Sequence, residues 1–346
     1  PYPVVLTMGY TWQVALGAVF ISATLFFLLS IFRIREWIIN SIPLPLRSAI
    51  TAGIGLFLAL IALKEAGLVV DHPATLVGLG DLTAPGPLLA MLGFFIIVAL
   101  DARRVTGAVM IGILLITAIA IALGVTPFGG VLSTPPSIMP TLLQLDIAGA
   151  FDIGMLSVIF AFLFVDLFDN TGTLIGVAKR AGLMGADGHL PKMGRALIAD
   201  STAAMGGSLL GTSTTTSYIE SAAGVAAGGR TGLTACVVAV LFLLALFFAP
   251  LAGTVPAFAT APALLFVAVL MTSGLAEIDW DDITVAAPVV ITALSMPLTF
   301  SIANGIAFGF ISWVVIKTLA GRFKDLNPAL VVLAALFVIK FGFFNA

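Results

Sequence analysis

Apolar runs close to the length an α-helix needs to cross a bilayer, about 20 residues, recur along the whole of this sequence. They lie at 13–32, 48–69, 87–100, 106–124, 152–177, 196–210, 231–249, 257–275, 283–299, 302–319 and 328–344, and each predicts a helix. Several are too short to cross unaided, which points to tilted or broken helices. Only 9% of the 346 residues are charged and 60% are hydrophobic, against about 25% and 45–50% in soluble domains. No single core could hide that much apolar surface from water. The fold class is therefore an all-α polytopic membrane protein. Soluble enzymes are excluded, and a net charge of −2 gives nucleic acid no electrostatic footprint.

The residues that usually hold metals are scarce. Cys236 is the single cysteine, so neither an intramolecular disulfide nor a cysteine metal centre is expected. His72 and His189 fall in polar stretches and read as loop residues rather than ligands. No metal or cofactor is called for. The chain opens Pro1-Tyr2-Pro3, without the charged start of a signal peptide, and reads as entered partway through.

Basic residues set the orientation, because Lys and Arg collect in short cytoplasmic loops. Arg33, Arg35, Arg47, Arg103, Arg104, Lys179, Arg180, Lys192, Arg195, Arg230, Lys317, Arg322 and Lys324 all fall on one side by simple alternation, thirteen of the 15 basic residues. The loops at 70–86 and 125–150 contain none. The acidic loop Glu277–Asp282 falls on the cytoplasmic side, where acids count little in this rule. The run 328–344 either crosses the membrane with Lys340 inside it or lies at the interface with Lys340 snorkelling.

Two stretches resemble each other with opposite sense. Met8-Gly9-Tyr10-Thr11-Trp12 and its span compare with Ala227-Gly228-Gly229-Arg230-Thr231 and the span after it. Each is followed by a proline-containing connection, at Pro43 and Pro45 and at Pro256, and a further apolar helix. By charge the first runs outside to inside and the second inside to outside. That is an inverted repeat, an architecture that places sites near the midplane between the repeats.

Two segments carry chemistry. Asp166, Asp169, Asn170 and Thr173 lie within an apolar run at spacings that share one helix face. A carboxylate at membrane depth costs about 2.5–3.5 kcal/mol on insertion scales and is a functional candidate by default. The bland alternative ends the run near Asp166, with both aspartates facing headgroup water. The second segment is Gly211-Thr212-Ser213-Thr214-Thr215-Thr216-Ser217-Tyr218-Ile219-Glu220-Ser221. Its β-branched residues suit an extended chain, and Ser217 with Glu220 matches a capping box. The reading is an extended stretch entering the membrane, then a short helix over 218–228 whose N-terminus offers N–H groups to a ligand. Irregular backbone at that depth must line a cavity. The alternative makes Glu220 a capping residue on an exposed loop. Together the segments describe two carboxylates plus backbone donors, suited to a small planar ligand with N–H donors and ring-nitrogen or carbonyl acceptors. Carboxylates in such a pocket can exchange protons near neutrality, as a proton-coupled symporter requires.

Phe168-Asp169-Asn170-Thr171-Gly172-Thr173-Leu174, the Thr-rich segment through Glu220, and Gly228-Gly229-Arg230-Thr231-Gly232-Leu233 resemble the azaguanine-like purine permeases. These are a branch of the nucleobase–ascorbate transporter (xanthine/uracil permease) family, and the resemblance runs over essentially the whole chain. It implies two inverted seven-span repeats divided into core and gate domains, with short strands leading into half-helices. It also implies proton-coupled uptake of purine bases across the cell (inner or plasma) membrane. Asp169 and Glu220 match the family's acidic substrate-binding positions. Tyr218 and Ile219 match the positions that present main-chain groups, with Ser217 and Thr216 beside them. Thr173 stands where uracil-transporting relatives have a histidine, which leaves proton coupling to Asp169, Glu220 or Asp166. The partners implied are a purine nucleobase, a proton, the lipid bilayer and a second copy in a homodimer.

On this resemblance residues 1–12 are the tail of a truncated third span, and the N-terminal spans of the family are absent from the chain. Core spans follow at 13–32 and 152–249 with the half-helix near 218–228, gate spans at 33–124 and 250–327, an extracytoplasmic connection at 125–151 and a hydrophobic segment at 328–346. Two rival functions differ in class. An anion channel or exchanger would meet like charge at the two carboxylates. An intramembrane aspartyl protease needs aspartates approaching from different elements to share a proton, whereas Asp166 and Asp169 share one helix and Asp187 lies in a basic loop.

Overall fold

The computed structural model describes residues 9–151, 153–185 and 190–343. The expected N-terminal tail as far as position 8, and Asp187 and His189, lie outside the described residues, as do some helical side chains, including those of Arg35 and Asp169. In chain order the elements are α1 (Trp12–Ile31), α2 (Ile34–Asn40), α3 (Leu44–Glu65), β1 (Val69–His72), β2 (Leu76–Leu79), α4 (Pro85–Ala102) and α5 (Ala108–Ala122). Then come α6 (Ile153–Arg180), α7 (Met193–Leu210), α8 (Ser221–Ala226), α9 (Gly232–Ala245), α10 (Ala249–Thr254), α11 (Ala257–Thr272), α12 (Ile283–Leu298), α13 (Ile302–Leu319) and α14 (Pro328–Phe343). Each expected span is a helix, and among the described residues six helical stretches are long and apolar enough to cross a membrane.

Contacts divide the chain into two compact units. The first holds the residues up to Gly53, Ser137–Tyr218 and the residues from Gly274 on; the second holds Ile54–Pro136 and Ile219–Ser273.

In the first unit α1 packs on α6 and α7. Val14, Ala15 and Ala18 meet Met155, Val158 and Ile159 there. Small residues let the backbones approach, as expected in lipid, where packing rather than water exclusion drives helix association. Asp146 donates its N–H to the Gln13 carbonyl at 3.0 Å, and a Cβ on Gly17 would collide with the Asp146 carbonyl. In the α12–α13 pair, Gly309 lies against Thr292, and a Cβ on Gly305 would lie 3.0 Å from the Thr292 carbonyl. Pro288 and Pro297 sit inside α12, where neighbouring helices and hydroxyls can satisfy the freed carbonyls. Within the same helix Thr292 Oγ1 donates back to the Pro288 carbonyl at 2.7 Å.

Polar contacts join the helix ends that the charge rule assigns to one side. Lys179 at the end of α6 pairs with Glu277 and donates to Ser48 of α3. Lys317, 2% exposed, donates to Asp325 and to Thr284, each at 3.0 Å, and Arg322 pairs with Asp282. On the opposite side Leu143 N–H donates to the Leu209 carbonyl, and Thr141 Oγ1 donates to the Leu210 carbonyl.

The Lys317 cluster gives a first prediction. Hydrogen bonds from Thr284 and the guanidinium of Arg322 hold the Asp282 carboxyl down at about 2, against a partly opposing desolvation. A depressed carboxylate stabilises fully above its unfolded value of 3.8 and loses that contribution as pH falls towards 2. Thermal unfolding in detergent should therefore show no contribution from this group's titration between pH 8 and 5. Lys317→Met should lower stability across that whole range, by about 2 kcal/mol for the hydrogen bonds to a charged group that it removes. An unchanged melting temperature for the variant would mean that the cluster is not a stabilising clamp.

In the second unit α4, α5 and α11 pack together around Leu89, Ile116, Ala120 and Ala259. Gly93 admits Ile116 and Pro262, and Gly112 admits Ile97. No residue of α9 is buried, although the helical stretch Gly232–Thr254 that it opens is the most apolar of those six; all its faces are turned outward.

The structure adds to the repeat and amends the local readings. α1 starts after Thr11 and α9 after Thr231 as N-cap residues, and a positive-φ glycine precedes each, Gly9 at 74° and Gly228 at 107°. The loop after α3 holds an antiparallel hairpin that pairs Val69 with Leu79. Its turn is organised by His72 Nδ1, which accepts from the N–H groups of Ala74 and Thr75.

The helix expected over 218–228 is shorter, Ser221–Ala226, and the capping box is not formed. Glu220 is itself the N-cap residue, has helical dihedrals and makes no side-chain cap. The chain enters the helix through i→i+3 bonds from Ala222 N–H to the Ile219 carbonyl and from Ala223 N–H to the Glu220 carbonyl, so Ser217 is too early to cap. The helix ends where Gly229 N–H reaches the Gly224 carbonyl and Gly228 N–H the Val225 carbonyl, a Schellman closure that needs the left-handed Gly228. Six residues also offer a ligand far less dipole than the longer helix expected. The stretch 212–217 is irregular and joins no sheet among the described residues, because its neighbours there are helices, against which it bonds singly.

Candidate functional site

α6 carries an apolar sequence with one polar stripe. Asp166 is 7% exposed, Asn170 1%, Thr171 2% and Thr173 2%. Asp166, Asn170 and Thr173 follow the three- and four-residue spacing of one face; Thr171 lies off that face and donates back to the Leu167 carbonyl. The stripe is buried within the protein rather than exposed. The side chain of Asp169 lies outside the described residues; its backbone is in the same helix, Ile153–Arg180.

The Thr-rich segment reaches this stripe because α7 stops abruptly. Gly211, at φ 92°, donates its N–H to the Ser208 carbonyl, and Thr212 N–H donates to the Gly207 carbonyl at 3.0 Å. This is a second Schellman closure at a left-handed glycine. The chain then turns back against the helix it has left. A Cβ on Gly207 would collide with Thr215 Oγ1 and lie 3.0 Å from Thr212 Cγ2. At the far end of the segment Ser217 donates its N–H to Asn170 Oδ1 at 3.4 Å. That bond ties the irregular segment to the polar stripe of α6. Thr216, Ser217 and Ile219 are half-buried, whereas Tyr218 and Glu220 are exposed.

Of the residues singled out from the sequence, the structure thus brings Ser217 onto the stripe that holds Asp166 and Asn170. Glu220 belongs to the second unit, where its backbone opens α8. Its carboxylate makes no capping bond there. Two residues carry more than their sequence context indicated. Asn170 was legible as a member of the polar face but not as the partner of a backbone N–H 47 positions away. Gly207 had one available signal, the Gly206-Gly207 pair inside a helix, where glycine otherwise costs about 1 kcal/mol.

The donor of Asn170 is the unusual feature. A backbone N–H can only donate, so the bond from Ser217 fixes Oδ1 as the end of the amide that accepts. Nδ2 then points elsewhere, fully enclosed and without a partner among the described residues. A buried donor left unpaired costs about 1–3 kcal/mol, and native interiors rarely tolerate one. Among the described residues no group of three or more His, Cys, Asp or Glu side chains could hold a metal ion.

A family model described as the permease family, for xanthine and uracil permeases, matches residues 3–308. The adenine permease AdeP of Escherichia coli (strain K12) is 49% identical over 345 residues, covering 100% of this chain and 78% of that protein. The guanine/hypoxanthine permease PbuG of Bacillus subtilis (strain 168) is 44% identical over 336 residues, 96% of this chain and 76% of that one. Among solved structures, the transmembrane domain of a cyanobacterium bicarbonate transporter, BicA, matches with a TM-score of 0.60 at 18% identity, over 88% of this chain and 79% of that one. At that identity the likeness speaks for the fold, which is the inverted-repeat transporter fold. The chain belongs to the xanthine/uracil permease (nucleobase–ascorbate transporter) family and is a multi-pass protein of the plasma membrane.

Proposed function

We propose that this chain is a purine nucleobase permease that imports adenine, guanine or hypoxanthine together with a proton, by alternating access. One observation carries the reading beyond kinship. An apolar membrane helix holds a buried stripe of Asp166, Asn170 and Thr173, and the stripe is hydrogen-bonded to the backbone that runs into Tyr218-Ile219-Glu220. Polar groups at membrane depth are retained where they serve a substrate or ion path. The relatives AdeP and PbuG are adenine and guanine/hypoxanthine permeases, and purines offer the N–H donors and ring acceptors that such a stripe can read.

In this reading Asp169 and Glu220 bind the base through its N–H groups. Main-chain groups at Tyr218 and Ile219, with Thr216 and Ser217 beside them, orient it. Asp169, Glu220 and Asp166 share the coupled proton. The moving parts are a core of 13–32 and 152–249 and a gate of 33–124 and 250–327, with two gates meeting in a homodimer.

The test is uptake of radiolabelled adenine and hypoxanthine in cells without purine permeases of their own. Wild type is expected to accumulate base in a manner abolished by a protonophore. Asp169→Asn is expected to lose at least about tenfold of that uptake, since a hydrogen bond to a charged group contributes about 1.5–3 kcal/mol. Accumulation indifferent to the protonophore would remove proton coupling from the proposal. No uptake of any purine would remove the substrate class.

A further inference from the structure

The carboxylates proposed above read only the donors of a base. A purine also carries acceptors, at N3, N7 and either N1 or an exocyclic oxygen, and carboxylates repel these. Asn170 holds the complementary group. Its side chain is 1% exposed, its oxygen is committed to Ser217 N–H at 3.4 Å, and its Nδ2 has no acceptor among the described residues. The amide cannot flip to present oxygen instead without leaving Ser217 N–H opposite a second donor. An enclosed, orientation-locked and unsatisfied donor beside the backbone of the Thr-rich segment is suited to receiving a ligand atom.

We propose that Asn170 is a specificity-determining residue whose Nδ2 donates to one acceptor atom of the transported base. This rests on the purine-permease reading. Enclosure gives the contact its discrimination: with water shut out, a base lacking that acceptor leaves the donor unpaired instead of solvated. The same amide, through its oxygen, holds Ser217 at the start of the turn into α8, so recognition and positioning are joined in one side chain.

The test compares base analogues that each lack one acceptor. Competition against radiolabelled base would be measured for the 1-, 3- and 7-deaza forms of adenine, for the 3- and 7-deaza forms of hypoxanthine, and for unsubstituted purine, which lacks hypoxanthine's exocyclic oxygen. In wild type one analogue should compete at least tenfold more weakly than its parent. In Asn170→Leu that one gap should close to within about twofold while the other analogues keep their wild-type ratios. Asn170→Asp keeps an acceptor for Ser217 N–H but removes the donor. It should close the same gap, and it carries the test if the leucine variant does not reach the membrane folded.

If both variants weaken every base and analogue by the same factor, Asn170 only positions Ser217 and the inference is overturned. A wild type with no gap for any analogue overturns it equally. If wild type takes up no purine, the transport reading itself has failed and this inference falls with it, an outcome distinct from uptake with intact gaps.

Discussion

Glu220→Gln is expected to abolish most protonophore-sensitive purine uptake while leaving the protein folded and in the membrane. The backbone at Glu220 is already helical, at φ −57° and ψ −19°, and its side chain makes no capping bond. What the residue contributes to the turn is its carbonyl, which accepts from Ala223 N–H at 3.0 Å. Glutamine supplies the same carbonyl and nearly the same volume, so α8 should form as before. The variant removes the negative charge and the ability to bind a proton. A hydrogen bond to a charged acceptor contributes about 1.5–3 kcal/mol, which at about 1.4 kcal/mol per tenfold is a loss of ten- to a hundredfold or more. A residue serving only as a helix cap would behave in the opposite way, with a small loss of stability and normal uptake. Uptake in the variant within twofold of wild type, at equal surface expression, would take Glu220 out of the site.

Where the sequence was legible, lipid had simplified the problem. The runs at 13–32 and 302–319 became α1 (Trp12–Ile31) and α13 (Ile302–Leu319) because a membrane span must satisfy its own backbone, and hydropathy alone marks such a segment. The ion pairs of Lys179 with Glu277 and Arg322 with Asp282 join ends that basic residues had already assigned to one side. Legibility failed where structure depends on contacts between distant residues or on water-exposed turns. The hairpin at Val69–Leu79 rests on a turn organised by His72, in a loop too short for its alternation to register. The short helix was overextended because Ser217 and Glu220 have the spacing of a capping box, yet Ser217 N–H is taken by Asn170 and the turn opens two residues later. No periodicity within either segment signals that pairing. The polar face of α6 was legible as a face, while the arrangement of its hydrogen bonds was not.

The adjacent glycines of α7 separate the fold from the site. A Cβ on Gly206 meets nothing within 4 Å, so Gly206→Ala should be neutral in transport and gain up to about 1 kcal/mol of helix propensity. Gly207 is one residue further on and turned towards the Thr-rich segment. There a Cβ collides with Thr215 Oγ1 and comes within 3.0 Å of Thr212 Cγ2. Rotation offers little relief, since both neighbours are β-branched and stiff at χ1, and Thr212 is held in place by its own N–H bond to the Gly207 carbonyl. The segment must instead lift from the helix, carrying with it the Ser217 end that bonds to Asn170. Gly207→Ala should cost about 1–3 kcal/mol of stability, as overpacking does. Gly207→Val should reduce purine uptake at least about tenfold at equal surface expression, because a displacement of about 1 Å in a binding segment is enough for such a loss. Thermal unfolding in detergent and initial uptake rates, measured on both positions together, decide the matter. Equal behaviour of the two positions would mean that the Thr-rich segment is not braced on α7, and that its geometry at Ser217 is set by Asn170 alone.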